Sequence, residues 1–284
     1  MTTSPILIIG KNGKTGSRVN QRLLDLGYET LGVSRSTAPA FDWQNPKTWE
    51  PVMQGIHTAY VTYQPDLAFP EAETAMKEFV RIARTSGLQH LILLSGRGEP
   101  GAQKAEEVLR NSGLAWNIVR SSWFLQNFSE SFLVDGILAG ELFLPVNDTV
   151  EPFVDADDIA EVVVAAIRKP ELRNRLFEVT GSQALTFAQC VDVIAHKLNR
   201  PIQFTSVPLE DYIEALRNQG VPEDMQWLLR ELFTVVFDGR NSIPAYGIEE
   251  ALGRSPSTLE AYVEKTQASG VWDPDIRQEV AGAV

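Results

Sequence analysis

The first feature that could do chemistry is a run of glycines, Gly10, Gly13 and Gly16, which follows the apolar segment Ile6–Ile9. Spaced glycines between a strand and a helix are typical of phosphate-binding loops, because backbone amides can approach the phosphate oxygens closely. A mononucleotide P-loop, G-x-x-x-x-G-K-S/T, would need a glycine five residues before Gly13, and that position is Ile8. The spacing therefore excludes the P-loop and favours the turn of a dinucleotide-binding βαβ unit.

In the dinucleotide interpretation each glycine has a separate role. Gly10 makes the tight turn, Gly13 lets backbone approach the pyrophosphate, and Gly16 lets the next helix pack closely on the strand. A glycine-rich turn that binds no ligand is the alternative. The loop residues that we expect to bind the cofactor are Gly10, Asn12, Gly13, Lys14, Thr15 and Gly16.

The residues after the second strand discriminate between NAD and NADP. An acidic residue there bonds the ribose 2′-hydroxyl of NAD, whereas a basic one suits the 2′-phosphate of NADP. Arg35 stands at this place between Ser34 and Ser36, and no acid follows until Asp42. These residues predict NADP(H), with Lys11 and Lys14 in the loop as added positive charge near the phosphates. The alternative is that Arg35 is a solvated loop residue.

Polar residues also follow the later strands. Ligands of parallel sheets collect at the carboxyl ends of the strands. Thr62 and Tyr63 are therefore expected to border the nicotinamide, and Ser95 and Ser121 to bind the cofactor at the same edge. Tyr63 either orients a substrate or simply packs in its loop. Ser95 lacks the G-x-S-x-G context of a hydrolase nucleophile. Tyr63, Ser95 and Lys104 are weak catalytic candidates.

The elements that must position these residues alternate between strand and helix. Apolar strands separated by helices predict a Rossmann-type, doubly wound parallel sheet with helices on both faces. Gly87 and Gly113 stand where helix C-caps belong. The predicted strands are 5–10, 29–34, 58–62, 90–94 and 116–120, and the predicted helices are 16–26, 47–53, 71–86 and 102–111.

After Arg120 the pattern becomes aromatic and mostly helical. We expect a helical segment over 121–140 and further helices at 159–168, 187–198, 209–219 and 225–236. Asp155, Asp157 and Asp158 precede the first of these, and helix capping explains them better than catalysis. The predicted division is an NADP-binding domain over 1–150, with 151–180 returning to it, and a smaller substrate lobe over 181–284.

Aromatic residues of this second half could form an apolar wall for a flat substrate. The alternative is that aromatics at helical spacing belong to the core. The candidates for the wall are Trp123, Phe124, Phe128 and Phe153.

Composition narrows the function classes. The 284 residues are 44% hydrophobic and 22% charged, as in globular proteins, and no apolar run approaches the roughly 20 residues of a membrane span. The net charge of −12 argues against a direct nucleic-acid partner, since phosphate backbones bind clustered Lys and Arg. A single cysteine and the lack of a secretory signal favour the cytoplasm. The three histidines are isolated, so no metal site is expected.

Four segments together resemble the NmrA-like family of atypical short-chain dehydrogenases. They are IIGKNGKTGSRV, GLQHLILLSG, AEEVLRNSGLAWNIVRSSWFLQNF and PFVDADDIAEVV. The run VSRS with FDW also resembles the agroclavine-dehydrogenase-like branch, which contains NADPH-dependent iminium reductases. The resemblance implies a Rossmann-type domain that binds NADP(H) and a substrate cleft closed by the C-terminal lobe. The family includes quinone, imine and dye reductases, and also regulators that bind the cofactor without hydride chemistry.

The chain departs from the wider superfamily at the catalytic pair. Short-chain dehydrogenases use Y-x-x-x-K, and Gly98 and Ala102 stand where this tyrosine and lysine belong. Lys104 lies two positions further on, which places it on another face of the helix. We therefore expect reduction of a small apolar acceptor, quinone-like or iminium, that needs no tyrosine proton donor. The alternative is a non-catalytic NADP(H)-responsive protein that acts through a protein partner.

Overall fold

A computed structural model describes residues 4–273 of the chain. Its main element is a parallel sheet of six strands in the order β2-β1-β3-β4-β5-β7, and β6 and β8 form a separate parallel pair. The strands are β1 Ile6–Ile9, β2 Thr30–Val33, β3 Thr58–Val61, β4 His90–Gly96, β5 Ala115–Ser121, β6 Glu141–Leu144, β7 Arg175–Val179 and β8 Gln203–Ser206.

The described chain contains twelve α-helices, of which α1 to α8 lie between strands and α9 to α12 follow β8. They are α1 Lys14–Asp25, α2 Trp49–Met53, α3 Ala72–Thr85, α4 Pro100–Arg110, α5 Asn127–Glu130, α6 Val134–Ala139, α7 Ala156–Arg168, α8 Phe187–Leu198, α9 Leu209–Asn218, α10 Glu223–Glu231, α11 Gly247–Leu252 and α12 Leu259–Ala268.

The described chain forms two compact units, and the first contains the six-stranded sheet. It comprises residues 4–121, 156–179 and 246–255. β1 is buried at all four positions, as expected for a strand with helices on both faces, and the parallel pairing of the six strands confirms the doubly wound sheet predicted from the sequence. Gly87 and Gly113 have φ values of +90° and +78° after α3 and α4, so both predicted helix ends require glycine.

The second unit comprises residues 122–155, 180–245 and 256–273 of the described chain. Its core is rich in aromatic side chains, with Phe187 among the most buried. α8 begins with a capping box in which Thr186 and Gln189 satisfy each other's backbone amides. The predicted boundaries differ from this division, because 122–150 belongs to the second unit and 246–255 to the first. The segment 156–179 joins the first unit.

The prediction of a helical segment over 121–140 is wrong for its first part. Leu125 donates its amide to the Val154 carbonyl at 2.8 Å, and Val154 donates to Trp123 at 2.9 Å. These long-range bonds hold the backbone of 123–125 extended, so only the short helices α5 and α6 form. The predicted helix over 225–236 is also interrupted, because α10 continues into a π-helical turn at Leu232–Val236.

Candidate cofactor site and active site

The glycine turn between β1 and α1 is closed by contacts that exclude side chains. Gly10 has φ +84°, and a Cβ on it would lie 2.1 Å from Thr62 Oγ1. A Cβ on Gly16 would lie 2.1 Å from the Gly10 carbonyl oxygen, which brings α1 directly against the turn. Gly13 donates its amide to that same oxygen at 2.9 Å. The three glycines thus form the compact turn that a dinucleotide pyrophosphate requires.

The first turn of α1 offers backbone donors to an anion. Gly13 is the N-cap and has no side chain to satisfy the first amides, which have no acceptor within the helix. Thr15 Oγ1 accepts a hydrogen bond from the Tyr60 hydroxyl at 2.8 Å, and both side chains are buried. The Thr15 hydroxyl therefore fixes the turn to β3, and its backbone amide is the group left for a ligand. Burial raises the pKa of Tyr60, which stays neutral.

The end of β2 gathers hydroxyl and amide groups beside a cation. Asn12 Nδ2 donates to Ser34 Oγ at 3.3 Å, and the Ser34 and Ser36 hydroxyls lie 3.1 Å apart. Arg35 is exposed between the two serines. No hydrogen bond or ion pair engages its guanidinium within residues 4–273. The structure thus brings together four of the residues that the sequence predicts for cofactor binding, with a cation still available to an anion.

An indole that the sequence did not single out as a site residue supports the loop after β3. Trp43 donates its Nε1 hydrogen to the Thr62 carbonyl at 2.9 Å, and its ring lies 4.8 Å from the Tyr63 ring. Burial, with a smaller contribution from Glu71, raises the pKa of Tyr63. The Tyr63 phenol therefore keeps its proton near neutral pH and can donate a hydrogen bond. The FDW motif was the available signal for Trp43.

Ser95 is part of a buried charge network. Its hydroxyl donates to Glu106 Oε1 at 2.6 Å, and Arg120 binds both oxygens of that carboxylate, with Nε 2.9 Å from Oε1. Arg120 Nη1 donates to Glu178 at 2.9 Å. The Glu106 bond, more than the pairing with Glu178, raises the pKa of Arg120.

This network limits the chemistry of Ser95. Ser95, Arg120 and Glu178 are neighbours in register on β4, β5 and β7, and Glu106 projects from α4. Since the Ser95 proton is directed to a carboxylate, this hydroxyl can accept a hydrogen bond from a ligand but is not a proton donor. Ser121 lies beside it, with its hydroxyl 3.4 Å from the Ser95 carbonyl oxygen.

Lys104 does not join the network of Ser95, Glu106 and Arg120. It is exposed on α4, whereas Glu106, two residues later, is buried. Lys104 acts on Glu73, whose pKa is lowered mainly by its hydrogen bond with Lys77 and slightly by Lys104. Its exposure on a different face of the helix agrees with the rotation expected from the sequence.

The aromatic candidates of the second unit differ in exposure. Phe128 and Phe153 are 0% and 4% exposed and pack against each other and against Phe187. Their burial agrees with the alternative in which these aromatics form the core. Trp123 is also buried, but its ring lies 6.5 Å from that of Phe132, which is 44% exposed.

The three acids at the start of α7, Asp155 before the helix and Asp157 and Asp158 in its first turn, all have partners within the structure. Asp157 pairs with Arg22 at 2.7 Å, and Asp158 pairs with Arg254 at the same distance. Asp155 accepts a hydrogen bond from Gln126 at 2.7 Å. These contacts agree with a structural role rather than catalysis. Within the described chain, no group of three His, Cys, Asp or Glu side chains is arranged to hold a metal ion, and no helix is long and apolar enough to span a membrane.

Comparison with known families decides the family. The model of the NmrA-like family matches residues 102–267, which is more than half of the chain. The chain belongs to the NmrA-like family. This confirms the resemblance seen in the sequence, although the matched range begins after the glycine turn.

Two curated proteins are similar to this NmrA-like protein over most of the length of both chains. It is 25% identical over 257 residues to prestalk A differentiation protein A of Dictyostelium discoideum, covering 90% of this chain and 83% of the relative. It is 26% identical over 283 residues to festuclavine dehydrogenase of Aspergillus fumigatus, covering 93% and 98%.

Solved structures share the fold. The triphenylmethane reductase of Citrobacter sp., solved with NADP(H), superposes with a TM-score of 0.78 at 15% sequence identity. The superposition covers 92% of this chain and 99% of the reductase. At this identity the likeness concerns the fold and not the reaction.

Proposed function

We propose that this NmrA-like protein is an NADPH-dependent reductase of a small, largely apolar acceptor. The observation that carries the proposal is the end of β2, where Arg35 has no partner within residues 4–273 and lies among the Asn12, Ser34 and Ser36 side chains. A cation with hydroxyl donors fits a phosphate monoester, and no acid is present there to bind an unphosphorylated ribose.

The named activities of similar proteins support the reaction class. A relative named as a dehydrogenase matches nearly the whole chain, and a reductase solved with NADP(H) has the same fold. The family itself supports an oxidoreductase that uses a nicotinamide cofactor.

The residues of the first unit fit this cofactor. The glycine turn and the α1 amides would hold the pyrophosphate, while Arg35 and the serines would hold the 2′-phosphate. Thr62, Tyr63 and Ser95 would border the nicotinamide at the carboxyl ends of β3 and β4. A bound NADPH supplies a hydride. The Tyr63 phenol would donate a hydrogen bond and the Ser95 hydroxyl would accept one, so the two groups orient a bound molecule differently.

The missing tyrosine–lysine pair points to the acceptor class. In the 284 residues no tyrosine is followed by lysine four positions later. A carbonyl acceptor needs a proton donor at the oxygen as hydride arrives. An iminium already carries the positive charge that attracts hydride, and a quinone can take its protons from water. We therefore assign a quinone-like or iminium acceptor. Among the aromatic residues of 123–132 in the second unit, Phe124 is half-buried and Phe132 is 44% exposed.

A non-catalytic NADP(H)-binding protein is the second candidate. The missing pair favours it, and the Dictyostelium relative is named for differentiation and not for a reaction. Both candidates need the cofactor site, so binding and turnover must be measured separately.

The first experiment titrates the purified protein with NADPH, NADP, NADH and NAD and follows tryptophan fluorescence. We expect selective binding of the two phosphorylated cofactors. Arg35→Asp should weaken NADPH at least about tenfold, because it removes a charge-assisted hydrogen bond, and should leave NADH nearly unchanged. Arg84→Asp, the same charge change at an exposed position of α3, is the control.

Turnover is then measured as NADPH oxidation with a quinone or a cyclic iminium salt. Oxidation that depends on the acceptor supports the reductase. Binding of both redox forms without oxidation of NADPH by either acceptor would favour the non-catalytic candidate. Equal loss of NADPH and NADH affinity in Arg35→Asp would remove Arg35 from the phosphate site.

A further inference from the structure

A lysine of the glycine turn lies in a space left by a glycine of the neighbouring strand. A Cβ on Gly32 would lie 2.7 Å from Lys11 Cδ and 3.1 Å from Lys11 Cβ. Real Cβ atoms do not come so close, so any larger residue at 32 would displace the lysine stem. The aliphatic part of Lys11 therefore packs on the bare backbone of β2.

Backbone conformation does not explain the glycine at this position. Gly32 is paired with Ile8 in the middle of a regular parallel ladder. It is not among the glycines of the described chain that have positive φ. Glycine inside a strand weakens it and often marks a close approach of another group. The absence of a side chain at Gly32 is explained by the space that the Lys11 stem occupies there.

The backbone holds Lys11 beside the end of β2. The amides of Gly10 and Lys11 both donate to the Val33 carbonyl, at 3.1 and 3.3 Å. Lys11 is thus bonded to the residue immediately before Ser34 and two before Arg35. Its stem lies over the strand that leads to these residues.

The positive charges of Lys11 and Arg35 are not neutralised by any ion pair within the described chain. No ion pair or hydrogen bond engages either side chain within residues 4–273. Elsewhere in this acidic chain other cations are paired, as Arg120 is with Glu106 and Arg254 with Asp158. Lys11, next to Asn12 in the turn, and Arg35, between Ser34 and Ser36, are therefore two cations without a partner in the described chain that can both pair with a doubly charged phosphate.

We infer that Lys11, guided across Gly32, is a second cation for the 2′-phosphate of NADPH and acts together with Arg35. This inference rests on the proposed function, because it assigns a further specificity-determining residue to the same cofactor. It explains two residues at once, the lysine in the turn and the glycine in the strand.

The test compares ligands that differ only in this phosphate. Adenosine 2′,5′-bisphosphate and 5′-AMP, with NADPH and NADH, are titrated into the unmodified protein and into Lys11→Met, which keeps an unbranched stem. We expect NADPH and the bisphosphate to bind about tenfold more weakly, with NADH and 5′-AMP unchanged. Lys47→Met, at an exposed lysine outside the turn, is the control and should change none of the four.

A double-mutant cycle tests the role of Gly32. Gly32→Ala should reduce NADPH affinity when Lys11 is present, because the new Cβ displaces its stem, and should have a much smaller effect in Lys11→Ala. Circular dichroism and thermal unfolding confirm that each variant is folded. Independent effects of the two substitutions would overturn the link between Gly32 and Lys11.

The outcomes separate this inference from the proposed function. If Lys11→Met keeps the full preference for NADPH over NADH, Lys11 is not a phosphate ligand although the cofactor assignment stands. Equal weakening of all four ligands would place Lys11 at the pyrophosphate and overturn the inference. If the unmodified protein does not prefer NADPH, the cofactor assignment and this inference both fail.

Discussion

The carboxyl edge of the six-stranded sheet has two halves, which differ in whether their charged side chains are paired with one another. At β4, β5 and β7, the charges of Arg120, Glu106 and Glu178 are satisfied by one another. After β1 and β2, the Lys11 and Arg35 side chains have no ion-pair or hydrogen-bond partner in the described chain. The glycine turn after β1 is held by contacts between neutral groups, such as the Tyr60–Thr15 hydrogen bond. Charges that are paired inside the protein stabilise the fold, whereas unpaired cations beside hydroxyl donors are available to a ligand.

The largest effect is expected at the paired half. Glu106→Ala leaves Arg120 with only Glu178 in a largely buried place, so we expect a loss of about 3 kcal/mol in the free energy of unfolding. Chemical denaturation measures it. Glu107→Ala, at the exposed neighbouring position, should cost less than about 1 kcal/mol. Similar losses in the two variants would show that the network does not stabilise the sheet.

A smaller effect is expected at the open half. Tyr60→Phe removes the bond to Thr15 and leaves a buried hydroxyl without its partner, which should cost about 1–3 kcal/mol. Tyr28→Phe, at a half-buried position, is the matched control. If Tyr60→Phe unfolds in the same denaturant range as Tyr28→Phe, the turn is held by its glycine contacts alone.

The smallest effect lies at the opposite end of β4 and β5 and depends on pH. His90 is buried with its Nε2 2.8 Å from Asn117 Oδ1, and its Nδ1 has no hydrogen-bond partner within residues 4–273. Burial, which outweighs the hydrogen bond to Asn117, lowers the pKa of His90. The unfolded chain therefore binds a proton first, and the contribution of His90 to stability is present above about pH 6.5 and lost as pH falls below it.

Denaturation at several pH values tests this prediction. The stability difference between the unmodified protein and His90→Gln should shrink from pH 7 to pH 5. His57→Gln, at an exposed histidine, should show a constant difference. A constant difference for His90→Gln as well would mean that the folded protein accommodates the charged imidazole.

Local features of the sequence predicted the first half of the chain well. The glycine spacing, the apolar strands and the helix ends at Gly87 and Gly113 all depend on contacts between residues close in sequence or on backbone conformation, which residue type reveals directly. Prediction failed where distant backbone decides local structure, as in the bridge of 123–125 to Val154. The strands β6 and β8 were not predicted, because each has only four residues and β8 has little apolar pattern.

The candidate site also contains residues that the sequence predicted and contacts that only the structure shows. The sequence predicted Asn12, Ser34 and Arg35 as cofactor-binding residues, because the order of strands and loops follows from the βαβ pattern. It did not reveal that Ser95 donates to Glu106, since Glu106 comes from the next helix and its pairing with Arg120 joins residues 14 positions apart. Nor did it distinguish buried Phe128 from exposed Phe132.

The sequence by itself determined the doubly wound fold, the family and the glycine turn after β1, because each depends on local periodicity or on the positions of glycines. Only the tertiary structure decided which polar groups are already satisfied and which are left for a ligand. The reason is physical: an ion pair such as Arg120 with Glu178 spans 58 positions, and the space over Gly32 exists only when two strands and a turn are packed together.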